Sequence, residues 1–391
     1  MVAMFNLTLI VAGLKELIID DLGGTTHHAS LFFSVEMAAH ILFAPLWGLL
    51  SDRWGRRRPL VATGFFFSGL LYFSYLLVDS VSMLLTLRFA QGAFSVMGWS
   101  ILMAMVLDQP DQKRRGRYMG VMGGALIFGI SLGAPIGGYV TRELGARAPL
   151  WLAGVLFVLL AAGTLVLREE HTLRSHESLG AIGRTLRRAP RLLVPYAFQF
   201  VDRYTVGFFV VLFPQYLATL GVDDPAVRGR YLALFLIPFA LAQYWTGRLS
   251  ERVGPYKPLL AGSFVYGLVL CVVGYSDLIG LWWAMAALGL LAALMFPPAI
   301  TLTADLSEPK TRASAMGGFN LAGSLGFAVG PVVGSWAFGI GGFGFAFIVA
   351  GVLELALVIA TLGVLARWRA QEKAAGLATV PNAAGVPPDG A

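Results

Sequence analysis

Gly48-Leu49-Leu50-Ser51-Asp52-Arg53-Trp54-Gly55 and Gly247-Arg248-Leu249-Ser250-Glu251-Arg252-Val253-Gly254 follow one pattern, and each closes a long apolar run. Two copies so far apart in a chain of 391 residues make the internal repeat the first question to settle. Further along, Asp108 with Arg115, Met119 and Gly120 recurs as Asp305 with Arg312, Met316 and Gly317 at the same internal spacing. The spacing G-x8-G-x3-G then appears as Gly120, Gly129, Gly133 and again as Gly317, Gly326, Gly330. Three registers at nearly one offset indicate a duplicated chain.

The material between these patterns is apolar. Hydrophobic residues make up 57% of the chain and charged residues 13%, against roughly 25% charged in a soluble domain. A membrane-spanning helix needs about 20 mostly apolar residues. Such runs fall at 2–20, 30–50, 59–78, 81–105, 117–141, 148–167, 192–220, 229–250, 257–276, 279–303, 313–338 and 342–366. The expected fold is therefore all-α and integral to the membrane, with twelve spans in two six-helix bundles. The bundles cover 1–167 and 192–366, the polar stretch 168–191 is a cytoplasmic linker, and the Gly/Pro/Ala-rich 367–391 is a disordered tail. The loops after the even-numbered spans and the tail hold 22 of the 29 basic residues and the opposite loops four, which puts both termini in the cytoplasm. Single Cys271 excludes an intrachain disulfide and a cysteine-based zinc site. His27 and His28 read as a solvated helix start, so no metal is expected. No G-x4-G-K-[ST] loop is present, so an ion gradient is the expected energy source.

Charge inside a bilayer costs about 2.5 to 3.5 kcal/mol per residue on insertion scales and marks pathways and relays. Glu16, Glu36 and Arg88 share a depth of about 10 Å below the outer surface at 1.5 Å rise per residue, and with Lys15 they are expected to form one cluster in the first half. His40 lies one turn from Glu36 on the same helix face and could share a proton with it; structural ion pairing is the other reading of this group. Asp202 and Arg203 sit near the middle of the seventh span and Glu354 near the middle of the twelfth. Neighbouring residues on a helix point about 100° apart, so Asp202 and Arg203 are expected to have different partners, and Glu354 to neutralise an arginine or carry a proton. Gly129, Gly133 and Gly137 beside Pro135, and Gly330 beside Pro331, allow close helix approach. Pro45, Pro214, Pro238, Pro297 and Pro298 are expected as tolerated kinks.

Residues 48–57, with Asp52, Arg53, Gly55 and Arg56, resemble the signature loop between the second and third helices of the major facilitator superfamily, and the resemblance runs from residue 1 to about 366. Arg88-x-x-Gln91-Gly92 is similar to that family's R-x-x-Q-G pattern. Gly129–Gly138 is similar to the G-x3-G-P-x2-G-G motif of drug:proton antiporters, with Ala134 where proline is expected and Pro135 one place later; Gly326, Gly330, Pro331 and Gly334 keep the unshifted form. The resemblance implies alternating access between two halves and no enzymatic activity or cofactor. It also implies a latch at the cytoplasmic side made by Gly48, Asp52, Arg53, Gly55 and Arg56 with Glu251 and Arg252. The expected partners are protons, membrane lipids and a small drug-like or metabolite substrate, not nucleic acid, and the expected form is a monomer in a bacterial inner membrane. Proton-driven efflux is the preferred direction, with uptake symport, a non-transporting sensor and a lipid-handling enzyme as alternatives.

Overall fold

The computed structural model describes residues 1–107, 115–166, 179–308 and 311–374, and among them there is no β-strand. The first bundle opens with α1 (Val2–Leu9), a 3-10 turn (Val11–Gly13) and a π-helical turn (Lys15–Asp21), bent by 46° at the break. It continues with α2 (Thr26–Trp54), α3 (Arg57–Ser74), α4 (Val81–Leu107), α5 (Arg115–Leu144) and α6 (Ala148–Thr164). A short amphipathic helix, α7 (Leu179–Arg188), leads into the second bundle: α8 (Leu193–Thr219), α9 (Pro225–Val253), α10 (Tyr256–Val273), α11 (Leu278–Ala293), α12 (Phe296–Asp305) and α13 (Arg312–Ala374). The tenth span is broken between α11 and α12, just before Pro297 and Pro298, which have no N–H to continue the ladder. In contrast, α13 holds two spans, because Gly341 and Gly342 leave helical geometry and Gly342 adopts φ 75°, turning the chain back at no side-chain cost. Counted this way, twelve spans form two six-helix bundles. Asp108, most of the linker and the tail beyond Ala374 lie outside the described residues, as does the side chain of Asp52.

Local chemistry sets the helix ends. Thr25 caps α2, with its hydroxyl accepting from His28 N while His28 Nδ1 accepts from Thr25 N at 3.1 Å. Asp224 and Asp277 cap α9 and α11 through Ala226 N at 2.8 Å and Gly280 N at 2.7 Å. Both motif octapeptides end in a glycine at positive φ, Gly55 at 65° and Gly254 at 81°. The repeated final glycine is thus a helix stop that only a residue without Cβ takes readily.

The glycines at four-residue spacing pack helices within each half. A Cβ on Gly129, Gly133 or Gly137 would strike the α1 segment at Met1, Phe5 and Leu9, and one on Gly326 or Gly330 would strike α8 at Phe200 and Tyr204. The other face of α5 meets the opposite half: a Cβ on Gly229 of α9 would lie 2.6 Å from Ala134 O and 3.0 Å from Pro135 Cα. Accordingly, Pro135 is an interhalf contact and the three glycines beside it are not. Gly137→Ala is expected to lower stability by about 1–3 kcal/mol through overpacking inside a bundle. Gly229→Ala is expected to leave the melting temperature nearly unchanged while spreading the halves. Thermal unfolding and interhalf distances by spin labelling check the pair, and an unaltered distance in Gly229→Ala would refute the assignment.

The loops at one end of the bundles carry Asp20, Asp21, Asp79, Glu143, Asp223, Asp224 and Asp277; the other end carries Arg53, Arg56–Arg58, Arg248, Arg252 and Lys257. At the acidic end α2 packs on the first arm of α13 and α5 on α9. The contacts there include His27 Nδ1 to Ser335 Oγ at 2.9 Å, Arg142 to Asp224 at 3.5 Å, and Phe33 against Phe327 with ring centroids 5.9 Å apart. About midway along the helices, Ser131 Oγ donates to Leu236 O at 3.1 Å. Toward the basic end, Leu42, Leu46, Leu49 and Trp54 on α2 and Leu241, Tyr244, Trp245 and Leu249 on α9 are exposed, while Phe32, Phe33, Leu232 and Phe235 nearer the acidic end are buried. The halves are closed on each other at the acidic end.

Candidate functional site

In the first half, Arg88 of α4 is buried and its guanidinium is fully engaged. Nη2 donates to Glu36 Oε2 at 2.5 Å, Nη1 to Tyr72 OH at 2.9 Å and to Gln91 Oε1 at 3.1 Å, and Nε points to Phe32 O at 3.4 Å. The Phe32 ring covers the cation at 4.2 Å. The second oxygen of Glu36 faces His40 Nε2 at 4.0 Å, one helical turn toward the basic end, where the imidazole is partly exposed. One carboxylate oxygen is therefore locked by arginine and the other looks toward a part-buried imidazole whose Nε2 makes no hydrogen bond. Protonation of Glu36 would weaken its bond to Arg88, so proton binding and helix packing are linked at this place.

In the second half, Asp202 and Arg203 of α8 are buried or nearly so. Contrary to expectation they face each other, with Arg203 Nε 3.5 Å from Asp202 Oδ2; the long arginine stem swings back against the helix. The guanidinium lies over Phe296 of α12 at 4.3 Å and Phe327 of α13 at 5.6 Å. Glu354 on the second arm of α13 does not neutralise an arginine. Its Oε2 accepts from Ser263 Oγ of α10 at 2.5 Å, and its Oε1 is buried without a partner.

Glu16 does not join Glu36 and Arg88, which corrects the expected cluster. The π-helical turn carries it across the boundary between the halves to an ion pair with Arg228 Nη2 of α9. Lys15 pairs instead with Asp20 at 2.9 Å. Arg228 is completely buried; Nη2 also reaches Asp223 O at 3.4 Å, while Nε and Nη1 have no partner. Sequence reasoning placed Arg228 in a loop and His27 in solvent, and missed both as interhalf contacts. A signal existed for Arg228: it sits in the first turn of a helix capped by Asp224, where the dipole disfavours a cation.

The duplication supplies an internal control on these charges. Gly92 of α4 packs on the Glu36 backbone, where a Cβ would lie 3.0 Å from Glu36 O, and Gly289 of α11 packs on the Phe235 backbone of α9 in the same way. Thus Phe235 is the counterpart of Glu36, and Met285, four residues before Gly289, is the counterpart of Arg88, four residues before Gly92. Both are buried. One fold builds this place from an ion pair in one half and from two apolar side chains in the other, so helix packing alone does not require the charges.

Two six-helix bundles closed on each other at one end, with charged side-chain types buried in each, fit a membrane transporter rather than an enzyme. The chain belongs to the Major Facilitator Superfamily, whose family model matches residues 1–229 and again 196–384. It is 24% identical over 327 residues to the multi-drug resistance efflux pump PmrA of Streptococcus pneumoniae serotype 4, covering 79% of this chain and 78% of that one. It is 23% identical over 349 residues to the synaptic vesicular amine transporter of Rattus norvegicus, covering 86% of this chain and 66% of that one. Among solved structures it resembles the nucleoside transporter NupG, with TM-score 0.74, 14% identity and coverage of 93% and 97%. It also resembles a bacterial homologue of the human lysosomal transporter Spinster in an inward-facing, unoccupied conformation, with TM-score 0.70, 14% identity and 92% of each chain covered.

Proposed function

We propose that the protein exports a small amphipathic compound across a bacterial inner membrane in exchange for protons. The basic end is cytoplasmic by the positive-inside rule, so the arrangement described above is inward-facing, with both termini in the cytoplasm. The observation that carries the proton-coupled reading is Glu36 held between Arg88 and His40, at a place the twin half fills with Phe235 and Met285. Asp202 beside Arg203 is the ion pair of the second half, set at a different place, on α8. The efflux direction and an organic substrate are supported by the likeness to PmrA and to the vesicular amine transporter, as the names of those proteins describe them. When the cavity faces outward, Asp52 and Arg53, set between Gly48 and Gly55, and Arg56 just after them latch the cytoplasmic side against the second half, with Glu251 and Arg252 as the repeat's equivalent. The working unit is a monomer.

Purified protein in proteoliposomes, tested with candidate drugs and metabolites under opposite imposed pH gradients, is expected to move substrate against the proton flow. Movement with the proton flow would make it an uptake symporter, and binding without flux would make it a sensor. Glu36→Gln keeps an oxygen for Arg88 but cannot exchange a proton. It is expected to reduce gradient-driven transport at least about tenfold and to flatten its pH profile, while substrate exchange without net proton movement persists. A wild-type pH profile in this variant would refute the role of Glu36.

A further inference from the structure

The third and sixth spans of each half pack through equivalent glycines. A Cβ on Gly69 would lie 2.9 Å from Gly154 O and 3.2 Å from Val158 N; one on Gly267 would lie 3.0 Å from Gly351 O and 3.0 Å from Leu355 Cγ. The third and fourth spans repeat the same register, with Gly64 against Phe94 O at 2.8 Å and Gly262 against Leu291 O at 3.3 Å. These contacts make Ser263 the counterpart of Phe65 and Glu354 the counterpart of Phe157. In the first half the two rings pack with centroids 5.8 Å apart. In the second half the same place holds a serine donating to a glutamate at 2.5 Å. The fold accepts a dry aromatic contact here, so the polar pair is not needed to hold the bundle together.

Glu354 is 0% exposed, and among the described residues no basic group lies within ion-pair distance of it. The titratable groups facing it are Asp202 of α8 and Tyr266 of α10, with Arg203 of α8 beside those two and Cys271 one turn away against Gly351. Arg203 is already paired with Asp202. An ionised carboxylate sealed in this setting would be uncompensated, which proteins avoid by pairing or neutralising the group. Tyr266 faces both Glu354 and Asp202, and its OH is buried without a partner; Thr205 beside it spends its proton within its own helix, on the Asp202 backbone O at 2.9 Å.

We propose that Glu354 is a second proton-carrying group, set in the interior of the second bundle behind Asp202, that takes up and releases one proton in each transport cycle. The step is the making and breaking of one O–H bond at Oε1, with the proton passed to and from the Asp202 carboxylate, whose Oδ2 is likewise buried without a hydrogen-bond partner and which shares Tyr266 as a neighbour. Ser263 is a positioning residue that holds Oε2 and leaves Oε1 free. The role in transport rests on the proton-driven reading above; protonation of the site can be observed without it.

The test uses full-length protein in lipid. Infrared difference spectra across a pH step are expected to show the carbonyl band of a protonated carboxylic acid, lost in Glu354→Gln and retained in Glu36→Gln. In proteoliposomes Glu354→Gln is expected to lower the proton-to-substrate ratio by one. The steady-state substrate gradient then falls about tenfold for each unit of imposed pH difference. A second variant, Ser263→Phe with Glu354→Phe, installs the pair of the first half; it is expected to fold, to exchange substrate and to show the same lowered ratio. If both variants keep the wild-type ratio and Glu354→Gln keeps the band, the site falls while proton-driven transport stands. If wild-type transport ignores the pH gradient but the band is present and lost in Glu354→Gln, the site stands and the proton-driven reading falls.

Discussion

Glu16→Gln is expected to move the resting population toward the form open at the acidic end by about a hundredfold or more. The Glu16–Arg228 pair crosses between the halves, and Arg228 is completely buried with two of its nitrogens already lacking partners. Removing one partner of a buried pair costs about 3–5 kcal/mol because the other charge is left behind, and each 1.4 kcal/mol is about tenfold in population. That cost applies only while the acidic end is shut; once α9 separates from α5 and the π-helical turn, Arg228 reaches water. The effect should also be asymmetric. The Glu16 side chain keeps 22% exposure and Arg228 none, so Arg228→Gln strands the less buried of the two charges, and its shift should be the smaller one. Asp52→Asn acts at the other end and should move the population the opposite way, by loosening the outward-facing form. Distance distributions between spin labels on the two halves, read at both ends, report all three variants. An unchanged distribution in Glu16→Gln would remove the pair from the gating account.

Duplication is what made the fold readable from the chain. Motif glycines recur because each ends a helix at a positive φ, as at Gly55 and Gly254, and spaced glycines recur because each half lays one helix on another, as at Gly133 and Gly330. Depth was readable too, since rise per residue is constant along a helix. Azimuth was not, and azimuth decides partners. Glu16, Glu36 and Arg88 share a depth, yet the 46° bend and the π-helical turn rotate Glu16 out of its own half. Arg203 and Asp202 leave their helix at different angles, but an arginine stem is long enough to fold back to its neighbour. His27 and His28, read alike as a solvated start, do two different things: one reaches Ser335 across the interface, the other completes the cap of α2 with Thr25. Helix ends, where the chain turns, are where spacing arguments lost their phase.

Arg88→Met alone is expected to lose about 3–5 kcal/mol of stability, because it leaves Glu36 buried without its cation and Tyr72 and Gln91 without their donor. Adding Glu36→Phe should return most of that loss. The double variant reproduces the Phe235 and Met285 of the second half, which the same backbone arrangement already buries, and exchanging a buried ion pair for apolar side chains is often neutral or stabilising. The coupling between the two substitutions, read as a double-mutant cycle from unfolding in detergent, should therefore exceed about 2 kcal/mol. Transport should not follow stability. The double variant is expected to be well folded and unable to drive substrate with a proton gradient, since the group proposed to exchange the proton in the first half has gone while the scaffold remains. If Arg88→Met alone is as stable as wild type, the pair is not an ionised contact in the folded protein. If the double variant still pumps, the charge in the first half is structural, and the coupling belongs to the second half alone, at Asp202 and Glu354.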